Sequence, residues 1–461
     1  MNPIPSSSQL TWSQRVIRFI IFKLVRLFYP RLEVQGIENV PVNRPIIFVL
    51  NHPNGLLDPL VLMVGLKQRV AFLAKSTLFG NPVGRTLCET FGALPIYRQK
   101  DDGLAGGPQG DARERNEAIF ARCRAILQEG RTMALFPEGT THSGTQLLQL
   151  RTGAARIALS AEDEVDWTAG VQIVPVGLWY QNKTSFRSSV LLVVGEPFDL
   201  STYADSYATD ERHTVQKVTE HIAAELDKVV LQAENAELLA AMPVLATWTA
   251  PDEANLSQQH EWTSKLLSAY QHLQHTDPAR LASIAEQAWD YANTLQTLGI
   301  DNPWALESPI IKPWRVARMI VRLIITFPLA LAGYILSYLP YRLAGPIATY
   351  GVGPYDTQIS LIKLILGSIF VLVGWILEAV AIGLWLGRLW GLLLFVVAPS
   401  LAYIALRWGE DWRQLCQLVS SRWLRWRRGE LIQSLTAQRQ ALAQQVMEVV
   451  QNPRLGSLYP S

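Results

Sequence analysis

The segment that decides the fold is residues 45–59, PIIFVLNHPNGLLDP. Residues 45–50 are almost entirely apolar, which is typical of a strand buried on both faces of a sheet. The Asn, Pro and Gly residues that follow predict a turn, and the apolar residues 57–66 predict a helix. A buried strand, a turn and a helix in this order form the repeating unit of α/β proteins.

Short β-like runs alternate with helical stretches up to about residue 198. The other predicted strands are residues 70–74, 93–97, 133–136, 173–179 and 190–194, and the other predicted helices are residues 116–128 and 152–161. This alternation predicts an α/β domain with helices packed on the sheet. Residues 210–296 are polar, lack strand signals and predict a helical connector.

The composition limits the possible classes of protein. The chain has 461 residues, a mean hydropathy of +0.13 and 17% charged residues, against about 25% in soluble domains, so part of it is expected to lie in lipid. Its net charge of +2 does not suggest a nucleic-acid partner. Cys88, Cys123 and Cys416 form no C-x-x-C pair, which excludes a disulfide scaffold and argues against a cysteine-built metal site.

The apolar residues are concentrated in the C-terminal part of the chain. Residues 319–339, 364–377 and 389–406 are apolar runs, which predict two or three helices across a hydrocarbon layer of ~30 Å. The Gly- and Pro-rich residues 341–358 predict a loop. The alternative is a helical hairpin buried within a soluble protein.

Basic residues flank this apolar region on both sides. They are Lys312, Arg315 and Arg318 before it, and Arg407, Arg413, Arg422, Arg425, Arg427 and Arg428 after it. By the positive-inside rule we expect both flanks on the cytoplasmic face, which needs an even number of crossings. Two spans, or three apolar helices of which one is re-entrant, would satisfy this count.

A basic segment also lies near the N terminus. A helix over residues 15–29 would place Arg15, Arg18, Lys23 and Arg26 in one arc and the apolar residues opposite. This pattern is typical of a helix that lies in a membrane surface with its cations toward lipid headgroups. The alternative is a helix that packs on the following domain, and both can hold together.

The turn after the first strand carries two residues that can act together chemically. His52 and Asp58 lie on either side of Gly55, in a turn that can bring them together. A carboxylate that accepts from one imidazole nitrogen fixes the tautomer and leaves the other nitrogen as a general base. The alternative is a structural pair, a capping histidine and an aspartate at a helix N-cap.

Three further segments follow or form other predicted strands. They are residues 92–98 (GALPIYR), 136–140 (FPEGT) and 174–177 (VPVG). An arginine at a strand end can bind phosphate through two hydrogen bonds, and a carboxylate followed by Gly and Thr suits a turn that binds a polar ligand. Each segment alone has another explanation: a surface arginine for residues 92–98, an ordinary turn for residues 136–140, and close backbone packing for residues 174–177.

Together, in this order and spacing, the four segments resemble the four motif blocks of the glycerophospholipid acyltransferase family, which includes the bacterial 1-acylglycerol-3-phosphate acyltransferases. The resemblance covers roughly residues 15–200. It implies an α/β fold with a mixed sheet and helices on both faces. It implies that His52 and Asp58 are catalytic and that the substrate is bound by Lys75, Arg98, Glu138, Gly139 and Thr140.

The activity implied by this resemblance is transfer of a fatty acyl group from acyl-CoA or acyl carrier protein to a hydroxyl of glycerol-3-phosphate or a lysophospholipid. No cofactor beyond the acyl donor and no metal ion are expected. The expected partners are these substrates and membrane lipids, not nucleic acid. The alternative is a membrane scaffold or accessory protein whose acyltransferase domain is degenerate.

Two features depart from the family's pattern. The spacing between His52 and Asp58 is one residue longer than usual, so the loop must bulge for the two to pair. Thr141 stands where the third block usually has an arginine. A phosphate ligand is then missing, or it is supplied by Arg98, Lys75 or Arg151.

These observations divide the chain into five predicted regions. They are a membrane-associating helix (1–30), an acyltransferase domain (31–205), a helical connector (206–310), membrane helices (311–410) and a helical tail (411–461). We expect the catalytic domain on the cytoplasmic face of a membrane.

Overall fold

A computed structural model describes residues 10–97, 112–250, 255–300, 303–304, 313–352, 356–427 and 429–451. The chain divides into two compact units. The first comprises Met1–Ala236 and Pro354–Leu361, and the second comprises Glu237–Gly353 and Ile362–Ser461.

The first unit is built on an eight-stranded mixed sheet. Its strands are β1 (Arg31–Gln35), β2 (Ile46–Leu50), β3 (Ala71–Lys75), β4 (Ala93–Ile96), β5 (Thr132–Leu135), β6 (Gln172–Tyr180), β7 (Ser189–Val194) and β8 (Phe198–Asp199). They lie in the order β1-β7-β6-β2-β5-β3-β4, with β8 paired to β6. Strands β6, β2, β5, β3 and β4 are parallel, whereas β7 is antiparallel to β6. The predicted mixed α/β sheet is confirmed.

Helices cover both faces of this sheet. They are α1 (Trp12–Phe28), α2 (Leu57–Leu66), α3 (Pro82–Thr90), α4 (Ala112–Gln128), α5 (Gly153–Asp163), α6 (Ala204–Thr209) and α7 (Glu211–Val229). The crossovers through α2 and α3 move toward β4, and those through α4 and α5 move back toward β6. Right-handed crossovers in opposite directions place their helices on opposite faces, as predicted.

The carboxyl ends of the parallel strands lie along one edge of the sheet. All five residues of β2 are buried, because this strand lies between β5 and β6 and under helices. His52 follows β2, Glu138 follows β5, Lys75 ends β3 and Tyr180 ends β6. Open α/β sheets bind their ligands in the crevice outside these ends. The fold therefore gathers the polar residues of separate segments at one edge.

The first compact unit extends beyond the predicted boundary at residue 205. Helix α7 packs so closely on β6 that a Cβ atom on Gly177 would lie 1.9 Å from the carbonyl oxygen of Val229. Because no side chain larger than hydrogen fits at this contact, α7 forms part of the first unit and not of a separate connector.

Helix α1 both packs on the first unit and exposes apolar surface. Val25 and Phe28 are buried, whereas Trp12, Phe19 and Ile20 are exposed. A capping box between Thr11 and Gln14 starts the helix. The two interpretations of the basic segment are therefore compatible, since one face packs and exposed apolar residues remain for a lipid surface.

The described residues of the second unit are helical. Its helices are α8 (Ala236–Thr249), α9 (Leu256–Thr276), α10 (Pro278–Leu298), α11 (Pro313–Val352), α12 (Asp356–Leu386), α13 (Arg388–Arg427) and α14 (Gly429–Val450), of which α8 and α12 begin in the first unit. Three segments are long and apolar enough to cross a membrane: Trp314–Ile347, Thr357–Leu386 and Arg388–Ser420.

The loop predicted at residues 341–358 is wrong, because α11 continues to Val352 and α12 begins at Asp356. Pro340 and Pro346 lie inside α11. Apolar helices of membrane length tolerate Pro and Gly. In such a helix these two residue types do not indicate a turn. The structure has three candidate spans in its described residues, and it does not show which of them cross a membrane. The expected even number of crossings therefore stays a prediction.

Candidate active site

His52 and Asp58 form a hydrogen-bonded pair at the carboxyl end of β2. The distance from His52 Nδ1 to Asp58 Oδ2 is 2.8 Å. The Asp58 side chain is fully buried, whereas 17% of the His52 side chain is exposed. Because Nδ1–H donates to the carboxylate, the lone pair of the imidazole is at Nε2. The two residues predicted to act together are therefore in contact.

Two further groups hold the Asp58 carboxylate. The backbone N–H of Asn54 donates to Oδ2 at 2.9 Å, and the Tyr180 hydroxyl donates to Oδ1 at 2.7 Å. Burial raises the pKa of Tyr180 well above its ordinary value, and the charge of Asp58 raises this pKa further. Tyr180 therefore stays protonated and donates, and the buried carboxylate has a partner at each oxygen.

The longer spacing between the pair is absorbed at Gly55. Gly55 has a φ of 56°, in the left-handed region that favours glycine. Turn hydrogen bonds run from Leu57 N to Asn54 O at 3.2 Å and from Asp58 N to Gly55 O at 3.1 Å. The loop bulges as the spacing requires, and Asp58 returns to His52 at the start of α2.

The free edge of His52 is available to a substrate. Its ring stacks on Phe136, with centroids 4.0 Å apart and planes at 23°. Among the described residues, Nε2 has no hydrogen-bond partner. The imidazole is thus fixed on one side by Asp58 and on one face by Phe136, with its basic nitrogen unoccupied.

Glu138 holds together the loops that follow β2 and β5. The His52 N–H donates to Glu138 Oε1 at 3.2 Å, and the Leu148 N–H donates to Oε2 at 3.0 Å. His142 Nε2 donates to Oε2 as well, since His142 Nδ1 accepts from the N–H of Gly144 at 3.0 Å. Glu138 is 3% exposed. Both of its oxygens accept hydrogen bonds from the protein's own groups, and Glu138 therefore positions His52 through the backbone N–H of that residue.

The turn after Glu138 presents groups that a ligand can reach. Gly139 has a φ of 67°, and a Cβ atom there would lie 2.5 Å from the Cδ and Nε atoms of Arg151. The exposed Arg151 side chain thus lies over this turn, and among the described residues its guanidinium forms no ion pair. Thr140 is half-buried, and its hydroxyl has no partner within the same ranges.

Two predicted substrate residues remain, Lys75 and Arg98. Lys75 is exposed at the end of β3, on the same sheet edge as His52 but beyond β5. Arg98 lies outside the described residues.

Three residues of the site were not predicted: the buried Tyr29 and Asn54 and the half-buried Tyr180. The position of Tyr180 at the end of the strand beside β2, three residues beyond the VPVG segment, is a signal that could have been used. Tyr29 follows α1 and has no such signal, because only the folded chain brings it to Asn54, whose Nδ2 donates to its hydroxyl at 2.8 Å.

The two buried cysteines do not offer a reactive thiolate. Burial raises the pKa of Cys88 to about 11 and that of Cys123 to about 12. Both are therefore neutral thiols near neutral pH and poor nucleophiles. Among the described residues, no group of three or more His, Cys, Asp and Glu side chains could hold a metal ion.

Part of the chain is similar to known acyltransferases. Residues 31–179 match the family model described as Acyltransferase. This range begins at β1 and ends one residue before Tyr180, so it contains His52, Asp58 and Glu138.

Three curated relatives have low identity to the chain. An uncharacterised acyltransferase of Schizosaccharomyces pombe is 23% identical over 61% of this chain and 53% of its own length. Glycerol-3-phosphate O-acyltransferase 2 of Saccharomyces cerevisiae is 29% identical over 36% of this chain and 23% of its own length. Human 1-acyl-sn-glycerol-3-phosphate acyltransferase alpha is 26% identical over 36% of this chain and 51% of its own length. The chain thus spans about half or less of these relatives.

Proposed function

We propose that the protein transfers a fatty acyl group from a thioester to a hydroxyl of a glycerol phosphate, because residues 31–179 match the Acyltransferase family model and the curated relatives include glycerol-3-phosphate and 1-acylglycerol-3-phosphate acyltransferases. The observation that carries this proposal is the pair of His52 with the fully buried Asp58, in which Nε2 of His52 has no hydrogen-bond partner among the described residues. The acyl acceptor is glycerol-3-phosphate or a lysophospholipid, and the donor is acyl-CoA or acyl carrier protein.

His52 acts as the general base in this reaction. Its Nε2 takes the proton of the acceptor hydroxyl while the hydroxyl oxygen attacks the thioester carbonyl carbon. The C–S bond then breaks, and the leaving thiolate takes the proton back from the imidazolium. Asp58 stabilises that imidazolium and holds its orientation, as the 2.8 Å contact allows. General base catalysis of this kind contributes about 10²–10⁴-fold.

The transfer is direct and has no acyl-enzyme intermediate. The raised pKa values of Cys88 and Cys123 support direct transfer, because a neutral buried thiol is a poor nucleophile toward a thioester. The sequence also contains no G-x-S-x-G segment that would present a serine nucleophile.

Arg151 binds the phosphate of the acceptor. It lies over Gly139, in the segment that lacks the arginine usual in the family, and Thr140 follows Gly139 in the chain. A guanidinium binds phosphate through two parallel hydrogen bonds, so Arg151 can replace the missing residue from another point of the loop. Lys75 and Arg98 are further candidates for this phosphate.

The membrane is the site of the reaction. Three candidate spans and the exposed apolar residues of α1 support a membrane-associated enzyme, which suits an acyl product that stays in lipid. The basic flanks of the apolar region favour a catalytic unit on the cytoplasmic face.

An assay of the full chain in lipid nanodiscs tests this function. Acyl-CoA and acyl carrier protein are each offered with glycerol-3-phosphate, dihydroxyacetone phosphate, 1-acylglycerol-3-phosphate and unphosphorylated glycerol, and acylated product is measured. We expect product with at least one phosphorylated acceptor and none with glycerol. No product with any pair would favour the scaffold alternative, which the intact catalytic pair disfavours.

A further inference from the structure

The start of helix α12 belongs to the same compact unit as the catalytic pair. Residues Pro354–Leu361 fall in the first unit, although Thr357–Leu386 is a candidate membrane span. Thr357 is 7% exposed and Ser360 is fully buried, whereas none of the apolar window of this helix is buried. The burial of these two hydroxyl-bearing residues therefore comes from the first unit.

Ser360 and Tyr29 meet at one backbone carbonyl. The Ser360 hydroxyl donates to the carbonyl oxygen of Lys183, in the loop between β6 and β7. The Tyr29 hydroxyl donates to the same oxygen at 2.8 Å. Tyr29 is fully buried. The carbonyl of Lys183 therefore fixes the Tyr29 hydroxyl relative to the start of α12.

This contact continues to the catalytic carboxylate. Tyr29 accepts from Asn54 Nδ2 at 2.8 Å, and the backbone N–H of Asn54 donates to Asp58 Oδ2 at 2.9 Å. The helix also touches the loop directly, since a Cβ atom on Gly55 would lie 3.2 Å from the carbonyl oxygen of Thr357. Two separate contacts thus join the start of α12 to the bulged loop between His52 and Asp58.

We propose that Ser360 is a positioning residue for the catalytic pair, so that the start of this helix is part of the active site and not only a membrane anchor. This inference rests on the acyl transfer proposed above. The bulged loop carries an additional residue and Gly55 in a left-handed conformation, and the carbonyl of Thr357 lies against Gly55. Ser360 and the backbone of Thr357 support this loop.

Kinetics of the full chain in nanodiscs test the proposal. Loss of one neutral hydrogen bond corresponds to about fivefold, so we expect Ser360→Ala to lower kcat about fivefold with KM for donor and acceptor unchanged. Tyr29→Phe is expected to lower kcat by about tenfold or more, because Asn54 also loses its partner. The double variant should fall short of the product of the two effects, since both hydroxyls serve one carbonyl.

The matched control is Ser368→Ala. Ser368 lies in the same helix, and its hydroxyl donates to the Leu364 carbonyl at 2.7 Å within that helix. We expect wild-type kcat for this variant. A role of Ser360 in anchoring or folding alone would lower the amount of folded protein or its thermal midpoint while leaving kcat per folded molecule unchanged, and that result would overturn the proposal.

Hydrogen exchange gives a readout that does not depend on activity. The amides of Leu57 and Asp58 should exchange faster in Ser360→Ala than in wild type, and at the wild-type rate in Ser368→Ala. If these amides exchange faster in Ser360→Ala but the wild type has no acyltransferase activity, the proposed function is contradicted, whereas the support of the loop by Ser360 is confirmed. Unchanged exchange and unchanged kcat in an active enzyme would overturn the positioning role alone.

Discussion

The hydroxyl of Tyr180 donates to Asp58 Oδ1 at 2.7 Å. This bond lies on the carboxylate oxygen that His52 does not use, so Tyr180 holds Asp58 in the orientation that His52 needs. The partners are 122 residues apart in sequence, and the contact forms because β6 pairs directly with β2.

Replacement of Tyr180 by Phe removes this bond and leaves the ring. A hydrogen bond to a charged group contributes about 1.5–3 kcal/mol, so we expect kcat to fall by about tenfold or more. Steady-state kinetics of the full chain measure the change. Tyr207→Phe is the control, because Tyr207 is a buried tyrosine whose hydroxyl lies 3.4 Å from the Ser160 hydroxyl. Equal effects of the two variants would contradict the assigned role.

Glu138→Gln should weaken the loop that carries His52. A carboxylate accepts from His52 N–H, His142 and Leu148 N–H, whereas the amide nitrogen of Gln cannot accept. We expect a lower thermal midpoint and a lower kcat, since one buried donor left unsatisfied costs about 1–3 kcal/mol. Glu129→Gln is the control, because Glu129 is half-exposed and forms surface ion pairs, whose loss costs little. A Glu138→Gln variant as active and as stable as the control would exclude the positioning role.

Arg151→Ala should weaken binding of the phosphorylated acceptor. We expect KM for that acceptor to rise about tenfold, with KM for the thioester unchanged, because the proposed partner of the guanidinium is the acceptor phosphate. Arg156→Ala serves for comparison, since Arg156 is an exposed arginine on α5. A rise in KM for the thioester instead would assign Arg151 to the acyl donor.

The cysteines should be dispensable. With pKa values of about 11 and 12, Cys88 and Cys123 are protonated across the neutral range, and their thiolates form only as the pH approaches those values. We expect Cys88→Ala and Cys123→Ala to retain kcat within about twofold per folded molecule. Loss of turnover by one of them, with its fold intact by circular dichroism, would indicate a covalent intermediate.

Much of the sheet could be predicted because its central strands are continuous apolar runs. β2 lies under helices and between two strands, so its sequence has no polar residue, and α2 was predicted with its observed bounds. β1 was missed because it is a half-buried edge strand in which polar and apolar residues mix. Local patterns identify a buried strand far better than an edge strand.

The contact of His52 with Asp58 was predictable from the sequence, whereas the residues that support this contact were not. His52 and Asp58 lie in one short segment, so a turn could be inferred from Gly55 between them. Tyr29 and Tyr180 reach that segment only through the packing of α1 and the pairing of β6. Contacts over such distances in sequence leave no local pattern, and Glu138 was predicted to bind substrate although its oxygens hold the protein's own loops.

The measurement that tests the central claim most directly is the initial rate of acyl transfer by full-length His52→Ala, with the donor and acceptor that the wild type uses. The account predicts a fall of about 10²–10⁴-fold, because the general base is lost while the thermal midpoint and membrane association stay at their wild-type values. His275→Ala, an exposed histidine on α9, should keep the wild-type rate. A His52→Ala rate close to that of wild type would contradict the account.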